Sequence, residues 1–477
     1  MNKQAVFCLL LLLLFISASA QEKWDLKRVV EYALANNISV RQQDVQARLT
    51  ALTYNQSKLS QYPGVNFSTS VGLSTGRSID RTTNQFTTQS VFYNGFNLQA
   101  SADIFNFGSK KNAIAAYRYQ SQASDASVDK LKNDIALNTA GAYLQVLLAR
   151  EQAEISRVQV QQTLAQLNNT RKLVQAGSLP EFNAAELESQ LAMDSSNLIS
   201  AKGSEAQALL TLKALLSLDA ATPFDVVTPP IEMIPIEPLS ELQPEAVYSL
   251  ALVNLPQQRV NDLSLKAAQK NADAAHGLMY PAISIGGSLQ TNYSNAKNQT
   301  ELLGFTPNGF TKIGVVSGTL DTVVAPNLVP NYRFYAAPYG NQFTNNFGNS
   351  IGISVSVPIF NGGSARTSWQ KAKLNIKSYE LQQQQDNLNL KTDIYKAYTD
   401  AVTAIEKFHA SSKAVETAQI AFDFATKRYN VGLLNTIELI NTQTNLFTAK
   451  LQKTLAQYDY VFKVKVLEFY KGQGLKL

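Results

Sequence analysis

What the 477-residue chain lacks narrows its function first. It has one cysteine, Cys8, two histidines, His276 and His409, and only 16% charged residues. Cys8 lies within Ala5 to Ile16, a run of twelve apolar residues preceded by Lys3 and followed by the small-x-small pattern Ala18-Ser19-Ala20. That layout predicts a signal peptide over residues 1–20 with Gln21 as the mature start. Twelve residues fall short of the roughly 20 that a membrane-spanning helix requires. Cys8 sits mid-run, so it reads as part of the discarded signal and not as a lipid attachment point. The remaining sequence then has no thiol for a disulfide, a metal or a nucleophile. No later apolar stretch reaches 18 residues, which leaves a β-barrel or a surface helix as ways to meet a membrane. A net charge of +6 is small and dispersed, so no nucleic-acid partner is expected. Two distant histidines give no Ser-His-Asp order, and no phosphate-binding loop or dinucleotide fingerprint occurs. No catalytic residue, metal site or cofactor is therefore nominated. Soluble domains carry about a quarter charged residues; here Gln, Asn, Ser and Thr fill that share.

What is present is a duplication. Asp103-Ile104-Phe105-Asn106-Phe107-Gly108-Ser109 recurs as Pro358-Ile359-Phe360-Asn361-Gly362-Gly363-Ser364, an offset of 255. Ala142-Tyr143 and Ala397-Tyr398, Lys172 and Lys427, Gly177 and Gly432, and Leu191 and Leu446 keep that offset. Earlier landmarks, Ala33-Leu34 with Ala251-Leu252 and Tyr62-Pro63 with Tyr280-Pro281, are 218 apart. The second half therefore carries an insertion of 37 residues. It falls between Asn295 and Asn346, and its Asn, Gly, Pro, Thr and Tyr content predicts a long loop. Repeat one covers residues 21–218 and repeat two 245–477. The segment 219–244 between them holds Pro223, Pro229, Pro230, Pro235, Pro238 and Pro244, too many for a long helix.

Each half opens with a helical run, about residues 25–61 and 244–279. Two alternating segments follow, within about 64–106 in the first half and at about 281–294 and 347–360 in the second. Val65, Phe67, Val71 and Leu73 alternate with Asn66, Ser68, Ser70 and Gly72; Phe96, Leu98, Ala100, Ala102 and Ile104 alternate with Asn97, Gln99, Ser101 and Asp103. Ile283, Ile285, Leu289 and Tyr293 repeat the pattern, as do Ile351, Ile353, Val355 and Val357. Period two with one apolar face is a strand. A soluble sandwich would alternate similarly, but lengths near ten residues and a small, uncharged polar face suit a lumen-lined barrel. Proline-free stretches of about 66 residues come next, near 109–174 and 364–429, or roughly 100 Å of helix each. Leu388, Tyr395 and Val402 step by seven, a coiled-coil spacing. Turns at Gly177 and Gly432 lead to returning helices. Four strands cannot enclose a lumen alone, and unpaired edges are not tolerated in lipid. Three chains would supply twelve strands.

In this duplicated order the chain resembles the TolC family of outer-membrane channels. The resemblance rests on Ala33 to Asn36 at the helix start, the Tyr-Pro strand entries, the Ile-Phe-Asn strand exits and the two glycine turns. Its most specific part is Lys427-Arg428-Tyr429-Asn430-Val431-Gly432-Leu433-Leu434-Asn435-Thr436-Ile437-Glu438-Leu439-Ile440-Asn441. The resemblance implies a mixed α and β fold. Four antiparallel transmembrane strands per chain contribute to a trimeric twelve-stranded β-barrel, and the long helices form a periplasmic α-barrel. It further implies a passive exit duct in outer-membrane lipid, opened by a periplasmic adaptor and an inner-membrane pump. Adaptor contacts fall on Ala176, Gly177, Ser178, Val431, Gly432 and Leu433. The pore constriction falls on Tyr429, Glu438 and Asn441, with Asn183 and Glu186 as first-repeat equivalents. Leu434 replaces an arginine of the family's closing linkage. A coiled-coil adhesin would explain the helices but not the strands, and a porin the strands but not the helices. The family's cargoes range from drugs to metal ions and polypeptides, and these residues do not select among them.

Overall fold

The computed structural model describes residues 23–79, 86–228, 237–295 and 298–472. The expected signal peptide, and residues 229–236 of the proline-rich segment, lie outside the described residues. Contacts divide the chain into two units. One is helical and holds the residues up to Tyr54, Ala115–Gln269 and those from Lys373 onward; the other, with all the long strands, holds Asn55–Ile114 and Lys270–Ala372.

The elements repeat as the sequence does. The first half runs α1 (Leu26–Asn36), α2 (Ile38–Leu59), β1 (Gly64–Ile79), β2 (Phe86–Phe105), α3 (Ser109–Gln175) and α4 (Glu181–Leu215). The second runs α5 (Pro244–Asn254), α6 (Pro256–Gly277), β3 (Ala282–Ser294), β4 (Asn298–Val315), β5 (Thr322–Ala336), α7 (Tyr339–Asn345), β6 (Gly348–Ser356), α8 (Ser364–Asn430) and α9 (Thr436–Tyr470). Both ends of α5 and α6 lie 218 residues beyond those of α1 and α2, and both ends of α8 and α9 lie 255 beyond those of α3 and α4. The single opening helix expected in each half is two helices, and the break has a different cause in each. In the first half Asn37 caps α2: its Oδ1 accepts from the Ser39 and Val40 amides at 2.9 and 3.3 Å, while its Nδ2 donates to the Leu215 carbonyl at 2.8 Å. In the second, Pro256 starts α6, and Leu255 before it is held extended at ψ 132°.

α3 and α8 are each 67 residues, about 100 Å of uninterrupted helix. The helical unit packs in two main clusters. One gathers Tyr143, Leu147, Leu212, Leu216 and Val226, and the other Leu242, Val247, Ala251, Ile394 and Leu467. The proline-rich segment is strapped to the first. Trp24 bridges Val226, the Tyr143 hydroxyl donates to the Val227 carbonyl at 2.6 Å, and Arg150 spans Glu205, Asp225, the Val226 carbonyl and Thr228. Burial, with the charge of Asp25 second, pushes the Tyr143 phenol up to about 12. Burial would raise Asp225, but hydrogen bonds from Lys23 and Arg150 outweigh it and hold the carboxyl below its usual range.

The strand unit holds one antiparallel sheet ordered β1-β2-β3-β6, in which β2 and β3 join the two halves. Register sorts its side chains cleanly. Val65, Phe67, Val71 and Leu73 share a face with Phe92, Phe96 and Leu98, Ile283 and Ile285, and Ile351, Ile353 and Val355. The opposite face is mainly Ser, Asn, Gln and Gly, as in the Ser288–Ser350 hydroxyl pair at 2.8 Å, with Tyr93 and, at the end nearest α3, Asp103, which pairs with Lys110 at 2.8 Å. Except where α7 rests on Phe96 and Tyr293, the apolar face is uncovered: Phe67 is 66% and Ile351 82% exposed. One expected position shifts. An irregularity between Asp103 and Phe105 sets Phe105, and not Ile104, opposite Ile283.

The long loop expected between Asn295 and Asn346 is a structured insertion. β4 and β5 form a separate two-stranded ribbon, and α7 binds its base to β3. Gln342, 1% exposed, donates to the Ser294 and Ala337 carbonyls at 2.9 Å and accepts from the Ser294 amide at 3.0 Å. The Tyr339 ring packs at a tilt on Tyr293 at 4.7 Å, and that of Phe343 on Phe96 at 5.0 Å. Proline and glycine had argued for a loop, but three register shifts along β4 accommodate them within the pairing.

Candidate functional site at the helix turns

Both helical hairpins turn by the same backbone device. Gly177 and Gly432 end α3 and α8 with φ of 73° and 76°, a conformation that disfavours other residues. The Gly177 amide donates to the Val174 carbonyl and the Ser178 amide to that of Leu173, both at 2.9 Å. Gly432 to Tyr429 and Leu433 to Arg428 repeat the pair at 2.9 Å. These two bonds satisfy carbonyls that a helix end leaves bare. Asn435 then starts α9 by accepting from the Glu438 amide at 2.7 Å. Ala176, Gly177, Ser178, Val431, Gly432 and Leu433 are all exposed, Val431 and Leu433 each by 69%. A Cβ on either glycine would meet nothing within 4 Å.

Of the expected constriction residues, Glu438 and Asn441 are exposed and Asn183 and Glu186 are half-buried. Positions 183 and 438 are equivalent, as are 186 and 441. Each half thus carries one carboxylate, on successive turns: the upper site is Asn in one half and Glu in the other, and the lower site reverses this.

Tyr429 is corrected. It was expected to line the constriction, yet it is 1% exposed and packs with Ala425, Leu434, Leu439, Leu179 and Phe422. Its hydroxyl pairs with Thr170 Oγ1 of α3 at 2.9 Å and Thr436 Oγ1 of α9 at 3.4 Å. A hydroxyl enclosed within its own chain and already paired with two threonines there is turned away from a neighbouring chain. Tyr429 therefore staples one hairpin to the other. Leu434 joins the same cluster at 8% exposure, so its apolar character is used inside the chain.

Sequence reasoning missed a second staple. Asp194, 4% exposed, accepts from the Thr163 hydroxyl at 2.6 Å and from Gln190 Nε2 at 2.8 Å. Gln443 Nε2 donates to Thr163 Oγ1 at 2.8 Å, so the network joins α3, α4 and α9. Thr163 and Gln443 are 280 positions apart, and polar residues are common in every helix here, so no sequence signal marked them.

This arrangement defines a structural class: a sheet with one apolar and one small polar face, followed by long paired helices with polar staples and exposed turns. Among the described residues no helix is long and apolar enough to cross a membrane, and no three metal-binding side chains cluster. The outer membrane efflux protein family model matches residues 29–217 and 247–473, and the chain belongs to that family. The Cation efflux system protein CusC of Escherichia coli (strain K12) is 21% identical over 94% of this chain and 86% of its own. The Probable outer membrane lipoprotein SilC of Salmonella typhimurium is 22% identical with the same coverage. Among solved structures, that of CusC superposes with a TM-score of 0.76 at 18% identity, covering 96% of both chains. The outer membrane protein VceC of Vibrio cholerae gives 0.72 at 14% identity, covering 94% of this chain and 97% of that one. The protein is accordingly an outer-membrane efflux channel protein that extends into the periplasm.

Proposed function

We propose that three copies close a twelve-stranded barrel in outer-membrane lipid and that their helical units form a duct through the periplasm. Cargo passes down this duct without chemical change. A periplasmic adaptor docks at the 176–178 and 431–433 turns and, with an inner-membrane pump, opens it. One observation carries the reading: the four-stranded sheet is apolar on one face and mainly small and polar on the other, with β1 and β6 unpaired at its edges among the described residues. Unpaired edges are not tolerated in lipid, and four strands cannot surround a lumen. Purified in detergent, the protein should sediment as a trimer and conduct ions in planar bilayers. A stable monomer that keeps its β-sheet signal overturns the shared barrel.

At the constriction the carboxylates form two staggered rings of three, Glu438 on the second hairpins and Glu186 one turn along on the first. Such rings concentrate cations between low-dielectric walls. Asn183 and Asn441 complete each level as neutral partners. Opening requires the hairpins to shift as stapled pairs, because the Tyr429 and Asp194 networks tie hairpins within one chain.

A further inference from the structure

The β4–β5 ribbon pairs with no other strand among the described residues, yet it has two unlike faces. Leu302 is opposite Tyr332, Phe305 opposite Pro330, Pro307 opposite Leu328 and Phe310 opposite Pro326, all on one face. Glu301 with Arg333, Thr306 with Val329 and Thr311 with Ala325 form the other. The apolar residues of β4 on this face, Leu302, Phe305, Pro307, Phe310 and Val315, change parity three times, and each register shift, after Leu302, Pro307 and Lys312, restores them to the same side, where Lys312 opposite Val324 is the one charged member. Three shifts that all serve one face make that face a specific feature. It is open in the single chain: Phe305 is 57%, Phe310 73%, Leu328 51% and Tyr332 50% exposed. A lone two-stranded ribbon with an uncovered apolar face is marginal in water.

The occupant follows from strand lengths. Strand addition is blocked at the β5 edge by Pro326 and Pro330, since a proline within a pair turns its donor-less nitrogen outward. The β4 edge is broken by Pro307 and three register shifts, so the contact is made by the face. β6 pairs with β3 over nine residues and stops at Gly348, whereas β1 pairs with β2 over sixteen, out to Ile79 and Phe86. Where β6 of one copy meets β1 of the next, at least seven residues of that β1 extend past it. The ribbon is rooted at this level, leaving β3 at Ser294 and returning into β6 at Gly348. The outer β1–β2 hairpin is itself apolar and uncovered on one face, with Val71 64%, Leu73 68%, Ile79 51% and Phe86 66% exposed.

Resting on the trimeric reading above, we propose that the apolar face of β4–β5 packs on the outer β1–β2 hairpin of the next copy of this chain. Repeated around a three-fold axis, the contact closes on itself and clamps the outer rim. A photo-crosslinking p-benzoylphenylalanine placed at Phe305 on intact cells tests it, with the same probe at Thr306, on the polar face, as control. The Phe305 probe should give adducts at two and three times the chain mass, mapping by mass spectrometry to residues 64–105 of another copy, and the Thr306 probe none. Replacing residues 300–334 with a short Gly-Ser linker should lower the temperature at which the detergent trimer dissociates. Adducts to lipid or to a different protein, no adduct from Phe305, or an unchanged dissociation temperature would overturn the clamp. A trimer without the adduct overturns the clamp alone; a monomer on sedimentation overturns the clamp and the channel reading together.

Discussion

Tyr429→Phe separates a staple within one chain from a gate between chains. The substitution keeps the ring, and with it the packing against Leu434 and Leu439, and removes only the hydroxyl that pairs with Thr170 and Thr436. One net hydrogen bond is worth about 0.5–1.5 kcal/mol. Thr170 is fully buried and Thr436 is 1% exposed, so neither hydroxyl gains water when its partner leaves. Both can turn back onto a carbonyl of the preceding helical turn, or, for Thr436 at the helix start, of the cap, which keeps the loss within that range. The locally open population of the tip should rise about two- to tenfold. Limited proteolysis under native conditions reads that population when opening is fast relative to cleavage. Cleavage near 176–180 and 431–435 should quicken by that factor, while basal conductance in planar bilayers stays at the wild-type value. Thr170→Val should have a similar effect, and combining the two should add little, because they remove the same bond. A rise in conductance with unchanged cleavage would refute the staple and return Tyr429 to the pore.

Glu438→Gln combined with Glu186→Gln should lower cation selectivity in planar bilayers, and unchanged selectivity would leave both carboxylates as helix surface. Gly432→Trp costs about 1–2 kcal/mol of backbone strain at φ 76°, and its Cβ meets nothing within 4 Å; trimers should still reach the outer membrane while export fails, and normal export would remove this turn from the docking surface. An epitope inserted after Gly318, in the β4–β5 turn, should bind antibody on intact cells; binding only after permeabilisation would invert the topology. The depressed Asp225 carboxyl stabilises the fold above the ordinary Asp pKa of about 4, and the contribution is lost as pH falls through the folded value. The gap in thermal midpoint between wild type and Asp225→Asn should therefore narrow from neutral pH to about pH 3, and a constant gap would exclude the ion pair as its source.

Much of this protein is determined by local sequence alone. Proline-free runs bounded by Ser109, Gly177, Ser364 and Gly432 set two 67-residue helices, because nothing within them interrupts the backbone ladder. Alternation in β1, β3 and β6 sets one apolar and one polar face, because side chains reverse at each residue of a strand. The duplication sets equivalent helix boundaries in both halves. Partners distant in the chain were decided only by the tertiary structure. Tyr429 has the same sequence context whether it lines a pore or fills a core; Thr170, brought beside it by the packing of α3 on α8, makes it core. Asp194 is a buried acceptor only because Thr163 and Gln190 donate to it and Gln443 reaches Thr163. The ribbon from Asn298 to Ala336 was illegible for a related reason. Its apolar residues change parity three times, so no fixed period exposes them, and only pairing with β5 shows that they share a face. Periodicity is a property of a single segment, whereas burial and register belong to the segments that meet it.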